Sequence, residues 1–373
     1  MISRVDVEKL RSIRAQRRAV LSLYLPVPSD PAGIRGLAAE AVDLMTSAGA
    51  SSVDGASTAG VSDADRQAVL DELAARRRDW LGGTVAFFAC QELGLFEALP
   101  LSCHLPERAV LAIRAHIRPL LAALQRCPDY RAAIADRRHS WILSISGNQV
   151  KTVASQSEEG PRSPGFGGWY GLESHRIQQR IIQLSRHHYR DTAAILQRAA
   201  GPGGDVPLVI GGHHDSIAGL LQALPPSVRK DFAGSFTADP HTLTPARIRQ
   251  LASPVIEGWV ARREHELSEE IFGGPTAVGL RASLAAVNEG AVAGLLVAHE
   301  GMIPGFVCGR CGALSTGSDE CPDWGTAARA VPDLLEEMAQ RTLDDDGQVT
   351  VVRDAPFGVA ARLRFPVAAA EGR

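Results

Sequence analysis

The sequence predicts an α/β protein of three α/β domains, on three observations. Short apolar or alternating runs bounded by Gly, Pro, Asn and Ser recur along the chain, with helical apolar spacings between them. The 373 residues exceed what one core serves, at ~150 residues per domain. No repeat of fixed period is present, which excludes a solenoid or propeller.

The first domain is expected over residues 1–128. Residues 5–16 have the spacing of a short amphipathic helix, and residues 19–27 (AVLSLYLPV) alternate as a strand does. Helical spacing returns at 32–48 and 62–79, around a Ser/Gly/Ala-rich loop. Residues 84–90, 94–100 and 109–113 read as consecutive strands.

The second domain, 129–262, opens with strands at 130–135, 140–146 and 149–154, the last two joined by a turn through Ser146-Gly147-Asn148. A polar Gly/Pro-rich loop leads to a long helix at 172–199, which Gly201-Pro202-Gly203-Gly204 stops. A strand at 206–210 and a helix at 213–224 complete its layers. The third domain, 263–373, is expected to join through a helix at 244–270. It then reads as a helix at 276–288, a buried strand at 292–298, a Cys-containing insertion, a helix at 327–340 and strands at 348–353 and 359–365.

Charge narrows the function. With 39 Lys and Arg against 42 Asp and Glu, the formal charge is −3, which excludes a protein that grips nucleic acid over its whole surface and leaves room for a local basic patch. Only Lys9, Lys151 and Lys230 are lysines, so a lone Arg carries little information here. No run of ~18 apolar residues occurs and the first residues lack an apolar leader, so a cytoplasmic protein is expected.

The most informative stretch is 165–199. Its loop sets Gly167 and Gly168 before Trp169 and Tyr170; the glycines allow close backbone approach, and the aromatics can stack on bases or pin the loop to its own domain. In the helix behind it, Arg176, Arg180, Gln183, His187 and Arg190 fall within about 80° of one another at 100° per residue. Beside them, Ile177, Ile181, Leu184 and Ile195 are expected to face the sheet. Such a basic stripe suits a phosphate backbone, although an Arg-rich composition also puts one on a solvated helix.

The run GFGGWYGLESHRIQQRIIQLSRHHYRDTAAIL, residues 165–196, resembles the middle domain of archaeo-eukaryotic class-1 release factors and Pelota-type rescue factors. Residues 271–301, IFGGPTAVGLRASLAAVNEGAVAGLLVAHEG, and 357–365, FGVAARLRF, are similar to the L7Ae-like C-terminal domain of that family. The similarity covers roughly 130–373 and is best to the bacterial members of the release factor, Pelota and Balon superfamily. It implies ribosome binding around the A site, in hibernation, rescue or another stress function of translation. In that role Trp169, Tyr170, Arg176, Arg180, His187 and Arg190 meet ribosomal RNA. Elongation factor Tu or another translational GTPase is the implied protein partner; DNA and membranes are not.

Two departures refine that expectation. Trp169 stands where the family has its catalytic Gln, and an indole offers one donor and no acceptor. No Asn-Ile-Lys-Ser motif for stop-codon reading is present in the first domain. Binding without stop-codon reading or Gly-Gly-Gln catalysis is therefore the leading expectation. Peptidyl-tRNA hydrolysis through the backbone of Gly167 and Gly168 is the alternative.

Cys308-x2-Cys311-x9-Cys321 supplies three of the four positions of a zinc ribbon, with Trp324 at the fourth. Zinc completed by Asp319, Asp323 or His299, a metal-free relic and a redox dithiol are all compatible with this degenerate pattern. Gly211-Gly212-His213-His214-Asp215 could cradle a phosphate at a helix start, but Asp215 or Ser216 acting as helix cap accounts for it equally. Cys90, Cys103 and Cys127 sit singly among apolar residues and are expected in the core.

Overall fold

A computed structural model describes residues 4–16, 19–30, 32–50, 60–147, 149–157, 172–199, 206–317, 319–321, 324–353, 355 and 358–366. The first segment runs α1 (Arg4–Arg11), β1 (Val20–Pro26), α2 (Leu37–Ala50), α3 (Asp63–Arg76), β2 (Thr84–Cys90), β3 (Leu95–Leu101), β4 (Arg108–Ala112) and α4 (Arg118–Arg126). Its strands form an antiparallel sheet in the order β3-β2-β1-β4.

Both faces of that sheet are covered, and the two-residue period of the strands sorts side chains between them. Leu21, Leu23, Leu25, Val85, Phe87 and Ala89 pack on α2 and α3, while Val20, Tyr24, Ala86, Phe88 and Cys90 pack on α1 and α4. The polar positions of the β1 alternation are buried too. Ser22 Oγ accepts the His116 N–H at 2.9 Å, and the Tyr24 hydroxyl donates to the His116 carbonyl at 2.6 Å.

The middle segment contains β5 (Tyr130–Ala135), β6 (His139–Ser146), β7 (Gln149–Ser157), α5 (Leu172–Ala199), β8 (Leu208–Gly212), α6 (His214–Ala223), α7 (Pro226–Arg229), β9 (Phe232–Thr237) and α8 (Pro245–Phe272). The sheet order is β7-β6-β5-β8-β9, with β5, β8 and β9 parallel. Helix α8 covers one face through Ile248, Ala252, Ile256 and Val260; α5 and α6 cover the other through Tyr189, Ala193, Leu196, Ile217 and Leu220. Strand β9 has no clear signature in the sequence, because Gly234 interrupts its apolar pattern. A Cβ there would meet Val255 Cγ1 at 2.7 Å, so the glycine lets α8 lie close to the strand.

The third segment contains β10 (Thr276–Val278), α9 (Leu280–Asn288), β11 (Val292–Ala298), β12 (Gly305–Cys308), β13 (Leu314–Ser315), β14 (Ala328–Val331), α10 (Leu334–Asp344), β15 (Gln348–Val352) and β16 (Val359–Leu363). A sheet β10-β16-β11-β15 packs on α9 and α10, and β13-β12-β14 form a small second sheet. Two helices expected from the sequence start later than their spacing suggests. Residues 276–278 form a strand, ended by Gly279 at φ 82°, and 328–331 form another before Asp333 caps α10 by accepting the Leu335 N–H at 3.1 Å.

The chain packs as two compact units: Met1–Cys127 together with Arg263–Arg373, and Pro128–Arg262. The first and third segments, each with its own four-stranded sheet, thus share the first unit. Glu336 on α10 accepts the N–H groups of Ile117 and Arg118 at 2.8 Å each, supplying a carboxylate to the N-terminus of α4. The fully buried Arg118 guanidinium donates to the carbonyls of Ala298 and Gly301 and to Asp333, which His116 Nε2 meets at 2.9 Å. On the same helix, the Gln125 amide donates to Val349 O at 3.0 Å and accepts the Val351 N–H at 2.8 Å, pairing with β15 as a strand would. None of the described helices is long and apolar enough to cross a membrane.

Burial works against the Asp333 carboxylate, yet its contacts with His116 and Arg118 hold it down at about 2. A carboxylate depressed on folding stabilises above its unfolded value, near 3.9, and that stability is lost as pH falls toward 2. We predict that Asp333→Asn, which leaves Arg118 buried without its counter-ion, destabilises the first unit by about 3–5 kcal/mol in urea unfolding at neutral pH. The deficit should shrink as the wild type is titrated from pH 4 to pH 2.

Candidate nucleic-acid interface

The pairing of the middle sheet places its important loops on one edge. The parallel strands β5, β8 and β9 end side by side, through the pairs Ala135–Gly212 and Gly212–Thr237. On that same edge β6 begins, and its first residue, His139, pairs with Ser157, the last of β7. Strand β7 therefore ends where the parallel strands end, and in the sequence Gly167, Gly168, Trp169 and Tyr170 follow it. Those four residues lie outside the described part of the structure, as does the side chain of Arg176.

The second half of α5 holds the helix to the sheet. Ser185, His188, Tyr189, Thr192, Ala193 and Leu196 are buried, at successive three- and four-residue steps. The Thr192 hydroxyl lies 3.0 Å from that of Ser140 on β6. Tyr189 shares a hydrogen bond with Ser216 on α6, and burial pushes its phenol upward. Gly219 makes room for the ring; a Cβ there would stand 2.4 Å from Tyr189 Cε2.

This corrects the buried face expected from the sequence. Leu184 and Ile195 are only half-buried, because the polar His188 and Thr192 take positions that an apolar pattern does not reveal. The side chains of Ile177 and Ile181 lie outside the described set.

Opposite the buried face, Arg180, Gln183, Arg186, His187 and Arg190 are all exposed. Of the sequence-predicted contact residues, Arg180, His187 and Arg190 thus share one solvent-facing surface. Asp191 modifies it, its carboxylate lying 3.4 Å from His187 Nε2.

No motif in the sequence announces the polar rim along the loop edge. Asp136 accepts the N–H groups of Arg138 and His139 at 2.6 Å each, and its other oxygen lies 3.2 Å from His241 Nε2. Arg137 faces Asp215 at 3.6 Å, and His213 lies 4.0 Å from Asp239. The cap of α6 is also not the expected one: His213 occupies that position, with no side-chain capping bond, and neither Asp215 nor Ser216 does. Gly212 is explained by packing, since a Cβ there would lie 2.3 Å from the Ala135 carbonyl.

In the first unit, Cys308, Cys311 and Cys321 converge until their sulfurs lie within 4.8 Å of one another, an arrangement that could hold a metal ion. Cys308 ends β12, and the turn after it aims the N–H groups of Arg310 and Cys311 at its sulfur, at 3.4 and 3.5 Å. The Thr326 hydroxyl lies 3.4 Å from the same sulfur, and these hydrogen bonds bring the thiol down to about 6. Trp324 is exposed and stacked under the Arg310 guanidinium at 4.1 Å. Asp319 and His299 do not join the three sulfurs among the described residues, and Asp323 lies outside them. His299 is instead buried, with its backbone N–H donating to the Val352 carbonyl.

Residues 116–261 match the sequence model of bacterial archaeo-eukaryotic release factor family 10. Over this span the chain is release-factor-like. The span takes in α4 and all but the last residue of the middle unit. Among solved structures, an archaeal translation termination factor, aRF1, is 15% identical, with 97% of this chain and 96% of that one covered and a TM-score of 0.23. Archaeoglobus fulgidus Pelota is 13% identical over 78% and 81% of the two chains, at 0.34. S. cerevisiae Dom34, a translation termination-like factor interacting with Hbs1, is 8% identical over 79% and 83%, at 0.42. No curated protein sequence matches the chain.

The anchoring of α5 is testable apart from function. Gly219→Ala should displace Tyr189 and lower the stability of the middle unit by ~1–3 kcal/mol, read as an earlier thermal transition. Unchanged unfolding would show that the ring does not depend on that space.

Proposed function

We propose that this protein binds the ribosome around the A site and acts in hibernation or rescue, without reading stop codons. The observation that carries this reading is the exposed basic face of α5, which follows a loop sequence containing Gly167 and Gly168, within a release-factor-like span. Arg180 and Arg190 supply bidentate donors to phosphates, and Arg176 extends their stripe toward the loop. On this reading Trp169 and Tyr170 pack or stack on RNA rather than catalyse. An A-site location is tested by competition: tRNA already in that site should prevent binding, and undiminished binding would refute the location.

Catalysis is the second reading, kept open by the retained Gly-Gly pair. Trp169 can donate one hydrogen bond but accept none, so it cannot orient a water as an amide side chain does. Ribosomes carrying peptidyl-tRNA should therefore keep their peptide when the protein is added. Efficient release by the wild type, lost in Gly168→Val, would establish the hydrolase reading instead. On the ribosome-binding reading, the third segment, residues 263–373, contacts a translational GTPase such as elongation factor Tu.

The Cys cluster supplies three of the four ligands that a structural zinc site takes. Three thiolates and the N–H groups donated to Cys308 match the chemistry of a zinc knuckle, and the ion would tie the β12–β13 turn to the chain at Cys321. We expect about one zinc per chain by elemental analysis of protein prepared without chelator, and loss of most of it in Cys311→Ser. Metal-free wild-type protein that also fails to take up Co2+ with a thiolate absorption band would identify the cluster as a relic.

A further inference from the structure

Two thiols of the cysteine cluster are in direct contact: Cys311 Sγ lies 3.5 Å from Cys321 Sγ, close enough for an S–H···S hydrogen bond. Both are free thiols. Each sits in a turn closed by glycine. The Gly312 N–H donates to the Cys308 carbonyl at 2.9 Å with Gly312 at φ 73°, and the Gly325 N–H donates to the Cys321 carbonyl at 2.8 Å with Gly325 at φ 59°. Both turns are anchored. Arg341 on α10 donates to the Gly312 carbonyl at 3.0 Å, and the Cys321 N–H donates to the Thr326 carbonyl at 2.7 Å. Cys308 is held differently. It is buried and its sulfur already meets the N–H groups of Arg310 and Cys311 and the Thr326 hydroxyl, whereas Cys311 is half-buried and open to a small reagent.

We infer that Cys311 and Cys321 form a reversible disulfide when the protein meets hydrogen peroxide, leaving Cys308 a thiol. The more accessible Cys311 sulfur attacks one peroxide oxygen. The O–O bond breaks, the sulfur becomes a sulfenic acid, and the departing hydroxide takes the thiol proton and leaves as water. Cys321, already in contact, then attacks the Cys311 sulfur. An S–S bond forms as the S–O bond breaks, and the hydroxyl leaves as water with the Cys321 proton. Two thiols are oxidised to one disulfide, and one peroxide is reduced to two waters. An S–S bond of about 2.05 Å requires the sulfurs to approach by about 1.5 Å, a distance that rotation about their Cα–Cβ bonds covers. The product ties the two turns together and removes two of the three thiolates from any bound metal. Oxidation therefore releases zinc, a consequence that rests on the zinc reading given above.

The test treats the native full-length protein, as purified and after removal of metal by a chelator, with hydrogen peroxide. Its cysteines are then alkylated and mapped by mass spectrometry without reduction. Trypsin cleaves after Arg310 and Arg329, so Cys311 and Cys321 share one peptide, residues 311–329, and Cys308 falls on the one before it. The expected result is peptide 311–329 lighter by its two thiol hydrogens and closed to alkylation until dithiothreitol is added, with Cys308 alkylated. Two peptides joined through Cys308, or Cys311 and Cys321 open to alkylation in both samples, would overturn the inference. The zinc reading is decided separately, by the metal content before peroxide is added. Zinc lost in step with the disulfide supports its release, and zinc retained once the disulfide has formed refutes it.

Discussion

A long amphipathic helix can bury only one face, and the middle unit is organised by how α5 divides its own. Ser185, His188, Tyr189, Thr192 and Leu196 give one face to the sheet, so Arg180, Gln183, His187 and Arg190 are left to water. The pocket made by Gly219 and the hydrogen bond to Ser216 fix the helix about its own axis. Rotating it by one residue, about 100°, would carry Arg190 into the place of Tyr189 and turn the buried His188 out to the exposed position of His187. The orientation of the basic face thus follows from contacts on the opposite side.

The first unit meets a different demand. Its two four-stranded sheets come from opposite ends of the sequence, so their junction needs contacts that local propensity cannot supply. Apolar packing provides area there, and Arg118 provides specificity: its two terminal nitrogens find acceptors only where Ala298, Gly301 and Asp333 converge. A buried ion pair adds little net stability over an apolar substitute, but it strongly penalises any arrangement that leaves its charges apart. His116 joins the same junction to β1, since its backbone bonds Ser22 and Tyr24 while its ring meets Asp333.

Much of this was legible in the sequence, and what was not has physical causes. β2, β5, β11 and α5 stand at the residues their periodicity predicts, because each is long or strongly apolar and bounded by turn residues. The strand at Thr276–Val278 was hidden because three residues cannot establish a period of two against a helical pattern that follows directly. β9 was hidden by Gly234, whose function is to admit α8. At the candidate interface, the exposed stripe followed from 100° spacing alone, whereas the polar rim of Asp136, His139, His213, Asp239 and His241 comes from separate loops gathered by strand order.

The central claim is that α5 meets ribosomal RNA through its exposed arginines, and its salt dependence tests this most directly. Each phosphate that an arginine neutralises adds roughly 0.7–0.9 to the steepness of log K against log salt concentration. Co-sedimentation with ribosomes at graded salt should show steep loss of wild-type binding. The double variant Arg180→Gln, Arg190→Gln should bind more weakly, with a slope shallower by roughly 1.4–1.8. Equal slopes and equal affinity for the folded variant would contradict the account.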